Sequence, residues 1–336
     1  MPPVTVIIPV YNRLKYLEQA IHSALHQTHP AVQVVVVDDG SPLDPAPVVA
    51  PFADKVLFLR KSNDGLAAAR NFGIAAATGA YLLFLDDDDF LQPDAIETLL
   101  AALRNFPGAR WAAGRFFYVD EAGRPLPRKH HCVFESGNIY PRMIHENLMG
   151  ATSTVLVETA LVRSLGGFDV SRRYHCLAED YDLWIAVAKA SSVAAVQTPV
   201  TNYRVHPQQK STADPAKHTL AIIELLQKHR SLALPSEVPE FDRSIAQEYL
   251  GLGDVYYVAD QTDQAREAWR SALAADPRRA GCPMHLRFFK SRLPRSVVAL
   301  CRGLRGWAHN LGRRRQGGDI PQAQQASPIA PSRPAG

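Results

Sequence analysis

Cysteine is scarce and unpaired in this 336-residue chain: Cys132, Cys176, Cys282 and Cys301 stand far apart, and no Cys-x-x-Cys pair occurs. That spacing argues against a disulfide framework or a zinc knuckle and for a reduced, intracellular protein. Long apolar runs are missing as well. The longest uncharged stretches, such as Asn71 to Leu85, fall short of the roughly eighteen apolar residues that a membrane-spanning helix needs. The amino terminus, MPPVTVIIPVYN, has no basic residue ahead of its apolar stretch, so it reads as a first strand and not as a signal peptide. Net charge is small: 37 Lys and Arg against 33 Asp and Glu leave +4. So mild an excess does not point to nucleic acid, and no nucleic-acid partner is expected. Acidic residues are absent between Asp276 and Asp319, where Arg287, Lys290, Arg292, Arg295, Arg302, Arg305, Arg313, Arg314 and Arg315 all fall. The positive charge is a C-terminal feature.

What is present is a globular composition, 46% hydrophobic and 21% charged, at a length that suits one large domain with a smaller companion. Val4 to Val10, Val32 to Val37, Val56 to Leu59 and Tyr81 to Leu85 are short apolar runs. Helical spacing separates them: Leu14, Leu17, Ile21, Ala24 and Leu25 first, then the Ala-rich stretch Leu66 to Ala77. Continuous apolar strands alternating with helices predict an α/β fold with a mostly parallel sheet covered on both faces. In such sheets ligands bind beyond the carboxyl ends of the strands. The polar punctuation sits there: Tyr11-Asn12, Asp38-Asp39 and Asp86 to Asp89. From Trp111 to Val157 the pattern loosens into strands and a loop, Pro125 to Met149, that it does not assign. A helix begins near Ala178, a strand lies near Val193 to Val196, and the chain turns helical past Pro215. The proline-bearing tail, residues 317–336, is expected to be disordered.

Four consecutive aspartates at a strand end require an explanation, because clustered carboxylates repel one another unless a cation offsets them. Hard divalent cations such as Mg²⁺ or Mn²⁺ take oxygen ligands, typically one or two carboxylates plus substrate phosphates. The alternative is an acidic turn that caps the helix beginning near Asp94.

The acidic run belongs to an ordered set: PVYNR (Pro9 to Arg13), VVVVDDGS (Val34 to Ser41), NDGLAAARNFGIAAATGAYLLFLDDDD (Asn63 to Asp89), GGFD (Gly166 to Asp169), AEDYDLW (Ala178 to Trp184) and YRVH (Tyr203 to His206). Together these resemble the family 2 glycosyltransferases, which share the GT-A fold and transfer a sugar from a nucleotide donor with inversion. The resemblance spans roughly the first 210 residues. It implies a GT-A domain over 1–214, with Pro9, Tyr11 and Asn12 beside the nucleotide and Tyr11 stacking on the base. Asp38 or Asp39 would accept from base or ribose, and Arg70 would lie beside the nucleotide. Asp86 and Asp88 would form the D-x-D pair. Asp88 would then be the direct metal ligand, and Asp86 would lie nearer the ribose and diphosphate. Asp87 and Asp89 are alternative ligands one position away. Asp180, paired with Glu179, would be the base, and Arg204 and His206 would meet the diphosphate. The implied cofactors are Mn²⁺ or Mg²⁺ and a nucleotide-sugar, UDP-linked, with a glycan or lipid-linked acceptor. Processive synthases of the family carry a Q-x-x-R-W segment and membrane spans. Neither occurs here, so one sugar per acceptor is expected.

The helical region 215–280 contains a stretch, 246–279, that resembles one tetratricopeptide repeat: Tyr249, Leu252, Gly253, Tyr256, Ala265, Trp269, Ala272 and Pro277 fall at its positions. A single repeat cannot bury both faces, so it must lean on its own chain or on a protein partner. The basic amphipathic segment 281–316, through residues 285–315, suits docking on an anionic membrane surface, giving a cytoplasmic, peripheral location. Its alternatives are a solvated face over the protein's own core and nucleic-acid binding. Gly251-Leu252-Gly253 lacks the third glycine and the preceding strand of a dinucleotide fingerprint. The His130-His131-Cys132 cluster has no partner pair at metal spacing. A rival reading of the whole is a GT-A-like nucleotide-binding scaffold without catalysis, acting through its helical repeat.

Overall fold

Four parallel strands, Val4–Val10 (β1), Val32–Asp38 (β2), Val56–Arg60 (β3) and Tyr81–Phe84 (β4), lie in the order β3-β2-β1-β4. In this computed structural model, which describes residues 1–128, 134–171, 177–207, 214–280 and 282–291, the sheet continues through Phe90–Leu91 (β5), Trp111–Val119 (β6), Val155–Glu158 (β7) and Val193–Arg204 (β8). The full order is β3-β2-β1-β4-β7-β6-β8-β5, with β7 antiparallel to both of its neighbours. The His130-His131-Cys132 cluster, the basic stretch beyond residue 291 and the tail lie outside the described residues.

Side-chain alternation explains why the strands read as continuous apolar runs. Val4, Val6, Ile8 and Val10 of β1, with Val34 and Val36 of β2, enter one core, packed by helices Leu17–Leu25 (α1) and Ala95–Asn105 (α4). Ile7, Val35 and Val37 enter the other. Leu66–Ala76 (α3) covers that second face, and Gly73 lets it approach β1: a Cβ there would sit 2.5 Å from Ile7 Cγ2. Short helices Ala46–Val49 (α2), Tyr140–Met143 (α5) and Thr159–Ser164 (α6) fill the connections. Glu179–Ala190 (α7) buries Trp184 in the second core against Phe84 and Trp111.

The loosely patterned stretch from Trp111 to Val157, where strands are expected, contains β6, which runs antiparallel to β7 and parallel to β8. Register shifts around Ala113 to Phe116 break its alternation, and Gly114 admits Val200 at the irregularity. β5 pairs antiparallel with β8, Phe90 opposite Asn202 and Leu91 opposite Thr201, so the acidic turn before it is held against the end of β8.

Pro215–Ser231 (α8), Val238–Val258 (α9) and Thr262–Ala275 (α10) follow the sheet. Leu225, Leu226, Phe241 and Ile245 join the second core, so α8 and α9 lean on the chain's own α/β layer. Residues Met1–Arg279 form one compact unit; in the other, which begins at Ala280, the described helix is Cys282–Lys290 (α11).

Candidate active site

The ends of β1, β2 and β4 open into one cleft of about 630 Å³. Pro9, Tyr11, Asn12, Arg13, Asp39, Arg70, Asp86, Asp87, Asp88, Thr152, Glu179 and Asp180 all line it, and α8 contributes His218 and Ile222.

Asp86 to Asp89 form a tight turn closed by a hydrogen bond from the Asp89 amide to the Asp86 carbonyl, 3.1 Å. The turn spreads its four carboxylates over several partners, with Asp87 and Asp88 sharing Arg13. Asp86 Oδ1 accepts from Arg70 Nη2 at 2.7 Å. Asp87 Oδ1 pairs with Arg13 Nη2 at 2.7 Å. Asp88 Oδ2 accepts from Arg13 Nη1 and lies 2.9 Å from His206 Nε2. Asp89 accepts from the Ser153 hydroxyl (2.8 Å) and the Arg204 amide (3.1 Å). Burial pushes the Asp87 carboxyl up to about 7, against the pull of Arg13 and with help from Asp88 and Asp86. Burial, then Asp88 and Asp86, hold Asp89 well above the usual carboxylate range. None of these carboxylates caps α4; Asp94 stands at its start without a side-chain cap bond.

Arg70, from α3, spans the floor of the cleft. Its Nη1 donates to Glu179 Oε1 at 2.6 Å, and Nη2 reaches Asp86 and, at 3.4 Å, the Thr152 hydroxyl. Burial alone would favour loss of its proton; Asp86 and Glu179 outweigh that and hold its pKa above the ordinary value. Glu179 is itself buried, which raises its carboxyl while Arg70 opposes the shift. Asp180 is only half-buried: Thr152 donates to its Oδ2 at 3.2 Å, and the Tyr181 amide donates to Oδ1 at 2.7 Å. Ala178 places the pair by adopting a left-handed conformation, φ 57° and ψ 24°, at the start of α7. Such a conformation costs an alanine on the order of 1 kcal/mol.

At the other end, Tyr11 presents a ring that is 40% exposed. Asp39 faces the cleft but is already held by Lys61 Nζ (2.8 Å) and by the amides of Asp64 (3.1 Å) and Gly65 (2.9 Å). Asp38 does not line the cleft: fully buried, it accepts from the Ser41 amide, whose Oγ in turn accepts the Asn12 amide. It shapes the loop under Asn12. Arg204 is also placed away from the cleft, because its guanidinium is spent on the carbonyls of Asp88, Asp120 and Glu121 and on Gln19. His206 is buried behind Asp88, not among the lining residues.

Residues 5–162 match the family model described as Glycosyl transferase family 2. The family 2 stretch carries the acidic turn, Arg70 and Thr152 and ends before Glu179 and Asp180. Over 226 residues the chain is 30% identical to an uncharacterised glycosyltransferase of Rickettsia conorii, covering 66% of this chain and 36% of that protein. The chain thus spans about a third of that relative's length. Two solved structures are similar in shape. S. aureus TarS 1–349 in complex with UDP-GlcNAc has a TM-score of 0.55 at 17% identity, covering 81% of this chain and 89% of that one. The mannosyltransferase PcManGT from Pyrobaculum calidifontis, in complex with GDP-Man and Mn²⁺, also scores 0.55, at 19% identity, covering 91% and 83%. At such identities the likeness establishes the fold, a GT-A-type α/β sheet followed by helices.

A cation has a chemically suitable place here. Oxygens of Asp86, Asp88 and Asp89 lie within 4.8 Å of one another. Both Asp89 oxygens are taken by Ser153 and Arg204, whereas Asp86 Oδ2 and Asp88 Oδ1 keep lone pairs for a hard cation. Arg13, Thr152 and Ser153 are the site residues that the motif reading passed over. The only local signals were the end of PVYNR and the polar start of GATSTVLV.

Proposed function

We propose that the chain is a metal-assisted, inverting family 2 glycosyltransferase that moves one sugar from a UDP-linked donor to a hydroxyl of a glycan or lipid-linked acceptor. The observation that carries this reading is the convergence, in one cleft, of the Asp86–Asp88 pair, Arg70 and a half-buried Asp180. The names of the Rickettsia relative and of the two structural neighbours support it. Asp88 and Asp86 would hold Mn²⁺ or Mg²⁺, which supplies Lewis-acid stabilisation of the departing diphosphate's charge. Tyr11 packs against the base, and Asp39 borders the nucleoside while anchoring the Lys61–Gly65 loop. Arg70 holds Asp86 and Glu179 apart from each other's charge. Asp180, the more accessible acid of its pair, accepts the proton of the acceptor hydroxyl as that oxygen attacks the anomeric carbon from the face opposite the leaving group. Thr152 fixes which Asp180 oxygen stays turned towards the cleft.

Residues 1–214 are the transfer domain in this reading, and 215–280 are helical, with 246–279 a tetratricopeptide-like repeat packed on its own chain. The basic stretch 285–315 is proposed to meet anionic membrane, close to a lipid-linked acceptor. Donor hydrolysis across UDP-, GDP- and dTDP-sugars tests the reaction class. The wild-type protein is expected to release one nucleoside diphosphate in the presence of Mn²⁺. Asp180→Asn should abolish transfer while keeping donor binding. Wild-type-like transfer by Asp180→Asn would remove it from the role of base, and no hydrolysis of any donor would favour the scaffold.

A further inference from the structure

The cleft contains a cation that none of these steps uses. Arg13 reaches across the end of β1 so that Nη2 meets Asp87 Oδ1 at 2.7 Å while Nη1 meets Asp88 Oδ2. The same Nη1 is 3.2 Å from His206 Nε2, which is itself 2.9 Å from Asp88 Oδ2. One imidazole nitrogen cannot accept from Arg13 and donate to Asp88 at the same time. Arg13 Nη1 and His206 Nε2 therefore crowd the same Asp88 oxygen, which has lone pairs for both. The two carboxylates also differ in access: the Asp87 side chain is 4% exposed, that of Asp88 11%, and Arg13 itself lines the cleft with 22% of its side chain exposed. Asp87 is the buried anchor, and Asp88 is the partner within reach of an arriving ion.

We propose that Arg13 is the resident counter-cation of the acidic turn. A divalent cation gains Asp88 only as Arg13 releases it, and the guanidinium, still anchored on Asp87, then turns towards the donor's phosphates. The physical basis is that a guanidinium and a divalent ion on one carboxylate repel each other, whereas a guanidinium and a diphosphate form paired charge-assisted hydrogen bonds. Arg13 thereby weakens binding of the metal alone and favours its entry together with the donor. This inference rests on the metal-assisted reading above.

The test is titration of the metal-free full-length chain with Mn²⁺ alone, with free Mn²⁺ read by electron paramagnetic resonance, for wild type, Arg13→Gln and Arg13→Lys. UDP is titrated in parallel with and without Mn²⁺. Arg13→Gln is expected to bind Mn²⁺ at least about tenfold more tightly than wild type, because one neighbouring positive charge is gone. In the same variant UDP should bind several-fold more weakly at saturating Mn²⁺. Arg13→Lys, whose ammonium lacks the two-pronged geometry, should fall between the two in Mn²⁺ affinity. If Arg13→Gln does not fold, as judged by circular dichroism, Arg13→Lys decides the matter by the same criterion. Equal or weaker Mn²⁺ binding in the folded variants, with UDP still bound by wild type, overturns the role of Arg13 and leaves the donor site standing. Binding of neither Mn²⁺ nor UDP by wild type overturns both.

Discussion

Thr152 carries one hydroxyl for two charged partners, accepting from Arg70 at 3.4 Å and donating to Asp180 at 3.2 Å. Replacing it by valine keeps the shape and removes the link. Losing a buried hydrogen bond to a charged group costs about 1–3 kcal/mol, which translates into roughly a ten- to hundredfold fall in kcat if Asp180 is the base. Steady-state kinetics of Thr152→Val should show that fall with the KM for donor little changed; wild-type kcat would mean that Thr152 does not orient the acid. Asp87 gives a second expectation at this scale. Burial raises its carboxyl to about 7, so the folded chain holds a proton that the unfolded chain has already released between the ordinary carboxylate range and neutrality. More protons bound in the folded state means that stability falls as pH rises across that window. Asp169 acts in the opposite sense. Burial would raise its carboxyl, but Lys228 and Ser171 hold it below the usual range, and its contribution is lost only in acid. Melting of the metal-free protein should therefore shift to lower temperature from pH 5 to pH 8, less so in Asp87→Asn. An equal slope in that variant would place the effect elsewhere.

Helix α8 is tied to α7 through one buried acid: Asp182 meets Lys228 Nζ and His229 Nε2, each at 2.9 Å, and Lys228 also reaches Asp169 at 2.8 Å. That connection fixes the helix whose first turn holds Asp180. Farther along, α9 and α10 cross closely because Gly253 leaves room for an indole: a Cβ at that position would lie 2.3 Å from Trp269 Nε1. Gly253→Ala should destabilise by about 1–3 kcal/mol through overpacking. Chemical denaturation checks this, and an unchanged midpoint would show that the hairpin has slack. These small residues are visible in the sequence, as are β1, β2 and β4, because strands buried on both faces leave uninterrupted apolar runs. From Trp111 onward the sequence indicates strands without fixing their bounds, since the register shifts of β6 between Ala113 and Phe116 blur the period-two signal. The acids of the site are legible for a local reason, being consecutive in the chain. Their partners are single ordinary polar residues delivered by folding: Arg13 lies 75 positions from Asp88, and Ser153 lies 64 from Asp89. Only tertiary structure shows that the polar groups of Arg204 and Asp38 are engaged away from the cleft.

At the scale of the molecule, one cleft gathers residues from β1 and from the loops that follow β1, β2 and β4, with others from α3, α7 and α8, so the helical region completes a wall that the sheet begins. The family 2 match covers residues 5–162, which include the acidic turn, Arg70 and Thr152, whereas Glu179 and Asp180 of the same cleft lie beyond it. No helix among the described residues is long and apolar enough to cross a membrane. The proposed function requires that this cleft bind a nucleoside diphosphate with help from a divalent cation held by Asp88. Isothermal titration of UDP, alongside GDP and dTDP, with and without Mn²⁺, tests it most directly. The account predicts Mn²⁺-dependent binding of UDP that is lost in Asp88→Ala while the fold persists. Absence of binding by every nucleotide under both conditions, or Mn²⁺-dependent binding undiminished in Asp88→Ala, would contradict it.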